Sequence, residues 1–203
     1  PEHELARLRE KAKELAGSST EYQSEYSSLL TRRVNHEPLQ YIEEYVPFYS
    51  ISLKVDERCL IPRPETEFLI ELIKDNIKSP NKILDVGTGS GCIALMMKSL
   101  FTDSHVTGID VSKDAIELAK ENAKLNSLDV LFFESNLLEN VQEKDHDLVI
   151  ANLPYIPTEN LNELDREVID YEPLSALNGG VDGLEIISKL IKEIEDKQYK
   201  NIN

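Results

Sequence analysis

Between residues 82 and 151 the sequence repeats one pattern: a short apolar run, a break, then an amphipathic stretch. Few architectures accommodate it. Leu148, Val149, Ile150 and Ala151 form a run that is apolar throughout rather than alternating, as strands buried on both faces of a parallel sheet are. Strand-like runs also occupy 83–86, 105–110 and 129–133. Between them Ile93, Met96, Met97 and Leu100, and then Ile116, Ala119 and Ala123, recur at helical spacing, the second set behind Ser112 as a plausible N-cap. Strand and helix alternating with short links predict a parallel, doubly wound α/β sheet. Ligands of such sheets bind just beyond the carboxyl ends of the strands.

The residues at those ends are the candidates for chemistry. The first strand runs into Gly87-Thr88-Gly89-Ser90-Gly91, where glycines let backbone approach a ligand closely. The spacing is G-x-G-x-G, not the G-x-G-x-x-G of a dinucleotide site, and it suits a nucleoside without a pyrophosphate. The second strand ends in Asp110, whose carboxylate can accept from both hydroxyls of a ribose. The fourth ends in Asn152-Leu153-Pro154-Tyr155: a carbonyl acceptor, a stiffened backbone and a flat aromatic wall.

Before the sheet the pattern differs. Leu5, Leu8, Ala12 and Leu15 predict a helix, Gly17-Ser18-Ser19-Thr20 breaks it, and Tyr22, Tyr26, Leu29 and Leu30 predict a second that ends near Arg32-Arg33. Two readings of this pair stay open: helices packing on themselves or the main domain, and a docking appendage for a macromolecular substrate. Ile51, Leu53 and Val55 alternate with polar residues, and with 45–49 they predict a β-hairpin. In IPRPETE, residues 61–67, Pro62 and Pro64 force an extended entry into a helix whose expected apolar face is Phe68, Leu69, Leu72, Ile73 and Ile77. Arg63, Glu65 and Glu67 read as a solvated helix start. A last amphipathic helix carries Leu184, Ile187, Leu190, Ile191 and Ile194, and a polar tail runs from Lys197 to Asn203.

Composition narrows the function classes. A chain of 203 residues with 40% hydrophobic content suits one medium domain plus a small appendage. No apolar run is long enough to cross a membrane, and no secretory signal pattern opens the chain. The first residue is Pro1, so a processed chain or a fragment is expected. A net charge of -16 argues against broad binding to phosphate backbones. Cys59 and Cys92 show no metal-ligand spacing and read as reduced thiols, which suits the cytoplasm or an organelle.

DVGTGSG, IDVS, NLPY at 152–155 and above all EPLQYI followed by LIPRPETE resemble the HemK/PrmC family, from about Glu37 to Gly183. Those proteins are S-adenosylmethionine-dependent methyltransferases that modify the side-chain nitrogen of the glutamine in the Gly-Gly-Gln loop of peptide-chain release factors. The resemblance implies a Rossmann-like class I methyltransferase sheet over 65–203, a β-hairpin linker over 41–64 and a helical substrate-docking segment over 1–40. It implies that Gly87, Thr88, Gly89, Ser90 and Gly91 lie under the cofactor, that Asp110 holds its ribose hydroxyls, and that Asn136 and Leu137 contact adenine. Asn152 would lie between cofactor and substrate, and Asn152, Leu153, Pro154 and Tyr155 would grip the glutamine. The implied partner is a release factor, with no metal, membrane or stable nucleic-acid partner, and with the protein acting as a monomer.

The chain differs from the family pattern in three places. Leu153 stands where the family usually has Pro, and Asn136 where it often has Asp. The family also has a longer helical N-terminal domain and a catalytic domain that continues well past residue 203, so that only four core strands can be placed where family sheets have seven. The strand at 148–151 is therefore expected at a bare edge, and the chain is expected to be a fragment. Two other readings stay open: a methyltransferase acting on the amino groups of nucleic-acid bases, and an inactive fragment that binds only the cofactor.

Overall fold

The computed structural model describes residues 2–197 and Tyr199. Of the polar tail expected from Lys197, the rest lies outside the described residues. Four strands, β3 (Lys82–Val86), β4 (His105–Asp110), β5 (Leu131–Glu134) and β6 (Leu148–Ala151), form one parallel sheet in the order β5-β4-β3-β6. The chain steps outward from β3 to β5 through α5 (Cys92–Leu100) and α6 (Lys113–Asn126), which cover one face. There Ile93, Met96, Ile116 and Ala119 pack with Ile83, Val106, Phe132 and Ile150.

From β5 the chain then returns to the far side of β3. Leu137, Leu138 and Val141 of that crossing join Leu84, Val86 and Ile109 on the opposite face, which Leu190 of α8 (Glu185–Asp196) closes. Alternate residues of each strand thus serve opposite cores, as the pleat requires. Strand order reverses between β3 and β6, so the doubly wound sheet has its switch point, and its ligand crevice, between Gly87 and Asn152. Strand β6 stands at an edge of this sheet, where the sequence places it.

The hairpin of β1 (Tyr45–Phe48) and β2 (Ile51–Lys54) pairs antiparallel. Two asparagines one turn apart on α6 dock it by imitating a neighbouring strand. Asn122 accepts from Lys54 N at 2.7 Å and donates to Lys54 O at 3.0 Å, and Asn126 makes the same pair of bonds with Ser52, at 3.3 and 2.8 Å. Asn122 also donates to Ser90 O at 2.9 Å, so one buried side chain fixes the hairpin and the glycine loop together.

Helices α1 (Glu2–Leu15), α2 (Ser19–Val34) and α3 (Leu39–Glu43) share a small core of Leu8, Ala12, Leu29, Leu39 and Ile42. Ser18 caps α2 through the Glu21 amide, inside the expected break. The short α3 is not anticipated by the sequence. The helices also touch the main domain at α7 (Arg166–Ile169): Arg33 donates to Glu167 at 3.0 Å and the Tyr171 hydroxyl to Asn35 O at 2.9 Å.

Several expected faces are corrected. Helix α4 (Pro64–Asn76) buries Thr66, Ile70 and Ile73, with Leu69 and Ile77 half-buried, whereas Phe68 is 73% and Leu72 61% exposed. Apolar residues ring this helix, so spacing alone does not choose a stripe; packing against α5 does. In α8 the buried side uses Ile186, Ile187, Leu190 and Ile194, and Leu184 and Ile191 are exposed. In α1, Leu5 and Leu15 are exposed beside buried Leu8 and Ala12. Strand β5 begins at Leu131, two residues later than expected.

Candidate active site

A cavity of about 220 Å³ opens at the switch point. Gly87, Thr88, Gly89, Ser90, Asp110, Asn136, Leu137, Asn152, Leu153 and Pro154 all line it. Of the sequence candidates, Gly91 and Tyr155 do not. Gly91 caps α5 in the left-handed region (φ 83°), where a Cβ would lie 3.2 Å from both Ala119 and Phe132. Tyr155 is 64% exposed.

The loop after β3 is held by its neighbours in the sheet. Gly87 N and Thr88 N both donate to Ile109 O at 2.9 Å. Positive φ at Gly87 (74°) and Gly89 (53°) turns the chain, and a Cβ on Gly87 would fall 2.9 Å from the Leu153 side chain, which packs over it. Asp110 accepts from Gly89 N and Ser112 N, each at 2.9 Å, so the carboxylate both ends its strand and pins the loop. Burial raises the Asp110 carboxyl above its ordinary value, and these amide donors hold the rise back.

Asp85, fully buried behind the loop, accepts from the Thr88 hydroxyl at 2.6 Å and Ala94 N at 3.2 Å through one oxygen; the other has no partner among the described residues. Burial pushes its pKa up to about 7. On the far wall Leu137 takes a left-handed conformation (φ 48°), in a turn where the Ser135 hydroxyl donates to Leu137 O at 2.7 Å. Cys59 and Cys92 also line the cavity and are unpaired. Burial raises both thiols, Cys92 to about 12, so neither is an ionised nucleophile near neutrality.

Around Asn152 the site is assembled from distant segments. The Asn152 amide nitrogen lies 3.5 Å from the Thr66 hydroxyl, within the IPRPETE segment. Neither Asn152 Oδ1 nor the Leu153 carbonyl has a hydrogen-bond partner among the described residues. Arg63 is no solvated helix start: it lines the cavity and donates to Glu172 at 2.6 Å. Glu67 likewise accepts from Tyr49 N at 3.0 Å, while Glu65 is exposed. The loop after Asn152 rests on two glycines that sequence reasoning missed. A Cβ on Gly179 would lie 2.7 Å from Tyr155 Cα and 2.8 Å from Pro154 O, and one on Gly183 (φ 78°) 2.3 Å from Tyr155 O. The Gly179-Gly180 pair followed by Gly183 was the available signal.

Residues 64–170 match the methyltransferase small domain family. The chain is 43% identical over 173 residues to the release factor glutamine methyltransferase of Thermodesulfovibrio yellowstonii, covering 83% of this chain and 62% of that protein. It is 44% identical over 156 residues to the protein of the same name from Lactococcus lactis, covering 76% and 57%. The chain thus spans about three fifths of the curated relatives it matches. A methyltransferase from Pyrococcus furiosus superposes with a TM-score of 0.55 at 22% identity, over 87% of this chain and 74% of that one. The hMettl16 catalytic domain, solved with an RNA hairpin, gives 0.59 at 16%, over 76% and 59%. At such identities the two structures show the fold.

Proposed function

Because the chain belongs to the methyltransferase small domain family, we propose that it transfers a methyl group from S-adenosylmethionine to the side-chain amide nitrogen of the glutamine in the Gly-Gly-Gln loop of a peptide-chain release factor. The names of the relatives support this substrate, and agree with the resemblance carried by LIPRPETE and NLPY. One observation carries the reading: Asn152 and Leu153 are consecutive, both line the cavity that the glycine loop and Asp110 also line, and Asn152 Oδ1 and the Leu153 carbonyl accept no hydrogen bond among the described residues. A primary amide offers two N–H donors, one for each acceptor.

The residues fit the cofactor. Gly87 to Gly91 supply a backbone cradle, the Asp110 oxygens each retain a lone pair for a ribose hydroxyl, and Leu137 and Ile186 provide apolar walls near Asn136. Leu153 in place of the family's Pro keeps the carbonyl and adds packing on Gly87. When bound, S-adenosylmethionine supplies a methyl group already activated on a sulfonium, so position and polarisation are what the protein must add.

An amide nitrogen is a poor nucleophile because its lone pair is delocalised. Asn152 Oδ1 and the Leu153 carbonyl would each accept one N–H, fixing the NH2 group and aiming its nitrogen at the methyl carbon. As nitrogen takes the methyl, the same acceptors offset the charge growing there, and one N–H proton passes to water. Asn152→Asp keeps the shape but adds a charge beside the amide. It is expected to lower kcat on the order of 100-fold with cofactor affinity retained, and a kinetic assay near wild type removes Asn152 from the mechanism.

We read residues 1–40 as the docking segment, 41–64 as the linker and the protein as a cytoplasmic monomer, which the bacterial sources of the relatives support for the compartment. Among the described residues no helix is long and apolar enough to cross a membrane. A base amino group has the same NH2 geometry as an amide, but the charge of -16 disfavours nucleic acid as substrate. The deciding experiment is methyl transfer from labelled S-adenosylmethionine to a release factor, its Gly-Gly-Ala variant and RNA. Label on the unaltered release factor alone supports the reading, and label on RNA or on the Gly-Gly-Ala variant overturns it.

A further inference from the structure

The acceptor side of the cavity is closed by two segments far apart in sequence, and one buried side chain joins them. Residues Pro62, Arg63 and Thr66 line it from one side, and Pro173, Ser175 and Ala176 from the other. Glu172 lies at the junction with its side chain 1% exposed. One carboxylate oxygen accepts from Arg63 Nη2 at 2.6 Å and the other from Ile61 N at 3.1 Å. Both oxygens are thereby committed to the 61–63 stretch, and the adjoining Pro173 is held against it. Three residues on from Arg63, the Thr66 hydroxyl meets the amide nitrogen of Asn152 at 3.5 Å. The flanking residues reach the other way, to the N-terminal helices, through Tyr171 and Glu167.

We propose that Glu172 is a positioning residue for methyl transfer: by locking Arg63 and the Ile61 amide it sets Thr66, and through Thr66 the orientation of Asn152. The inference rests on the proposed function and adds a residue that touches neither cofactor nor acceptor. Glu172 meets no part of the glycine loop in the hydrogen-bond network, so its effect should fall on the acceptor and spare the cofactor.

Glu172→Gln keeps volume and removes the charge that Arg63 requires. Because misplacement of a reacting group by about 1 Å costs on the order of 100-fold, Glu172→Gln is expected to lower kcat/KM for the release factor by about that factor, chiefly in kcat. The dissociation constant of S-adenosylhomocysteine should stay within about 2-fold, since the cofactor contacts are separate. Arg63→Lys, which keeps the charge but replaces the planar guanidinium whose Nη2 meets Glu172 with a point-charge ammonium on a flexible stem, should show an intermediate loss. In the double variant Arg63→Lys/Glu172→Gln the loss should be less than the product of the two single losses. A Glu172→Gln enzyme within about 3-fold of wild type, or one whose cofactor affinity falls in step with its rate, overturns the inference. Should Glu172→Gln fail to fold, Arg63→Lys decides: lowered kcat with unchanged cofactor affinity supports the inference, and wild-type kinetics overturns it. The unaltered enzyme is assayed first; its silence on the release factor defeats the proposed function and this inference with it, whereas an active enzyme indifferent to Glu172 defeats the inference alone.

Discussion

The two halves of the cavity are held together by different physics. The cofactor half is built from neighbours: Asp85 reaches Thr88 and Ala94, three and nine residues away, and Asp110 reaches Gly89 across 21. Its framework is the strand ladder, and its turns are glycines. The acceptor half is built from strangers: Thr66 meets Asn152 across 86 residues, and Glu172 meets Arg63 and Ile61 across 109 and 111. Each half also contains a buried carboxyl, but only Glu172 has a cation beside it. The local half should therefore tolerate loss of a single side chain and respond to pH, while the long-range half should respond to any change that shifts one segment against another.

The largest effect expected from this contrast is at Asp85. Its pKa stands at about 7 in the fold against an ordinary 3.8. Between those values the native state keeps a proton that the unfolded chain has lost, so stability falls as pH rises through the window, and above about 7 the penalty is complete. A shift of this size corresponds to about 4 kcal/mol. Asp85→Asn keeps an acceptor for Thr88 and Ala94 without the charge, so the variant should lose this slope. Urea unfolding at pH 4 and pH 8 reads it as a difference of differences: wild type should drop by about 4 kcal/mol more than Asp85→Asn. Parallel pH profiles for the two proteins would show that the loop has another way to accommodate the charge.

Next in size is Gly183→Ala, in the long-range half. A Cβ there would lie 2.3 Å from Tyr155 O at a φ of 78°, so backbone must move, and the moving backbone carries the Asn152–Tyr155 loop. About 3 kcal/mol of stability should be lost. The rate on the release factor should fall further than cofactor affinity does. A variant that loses both equally would show that the halves move as one body, and would break the comparison.

The same contrast explains what was legible in the sequence. Gly87, Gly89 and Asp110 were readable because a strand end, a glycine turn and the next strand end are local patterns with fixed spacing. Asn152 was readable for the same reason, as the polar stop of an apolar run. Thr66, Glu172 and Gly183 were not, because nothing within ten residues of Glu172 says that Arg63 will face it. A buried carboxylate and a solvated one look alike in a sequence. Asn122 and Asn126 read as ordinary polar helix residues until β2 is laid beside them. The face of α4 was misjudged where Phe68, Leu69, Ile70, Leu72 and Ile73 leave every direction apolar, and the neighbouring helix had the deciding vote.

The smallest expected effect tests how far the long-range half extends. Arg33 of α2 donates to Glu4 at 3.2 Å and to Glu167 at 3.0 Å, and its side chain is 19% exposed while Glu167 is 41% exposed. Such a pair is screened and contributes up to about 1 kcal/mol, so Arg33→Ala should barely change the unfolding midpoint. Its sequence position matters more than its energy, because Glu167 begins the stretch that ends at Glu172. If the N-terminal helices and the acceptor wall form one strut, Arg33→Ala should raise the release-factor KM by about 3-fold, the equivalent of roughly 0.6 kcal/mol, with kcat and cofactor affinity unchanged. A KM equal to wild type would end the long-range half at Tyr171, leaving the helices attached to the main domain but not coupled to it.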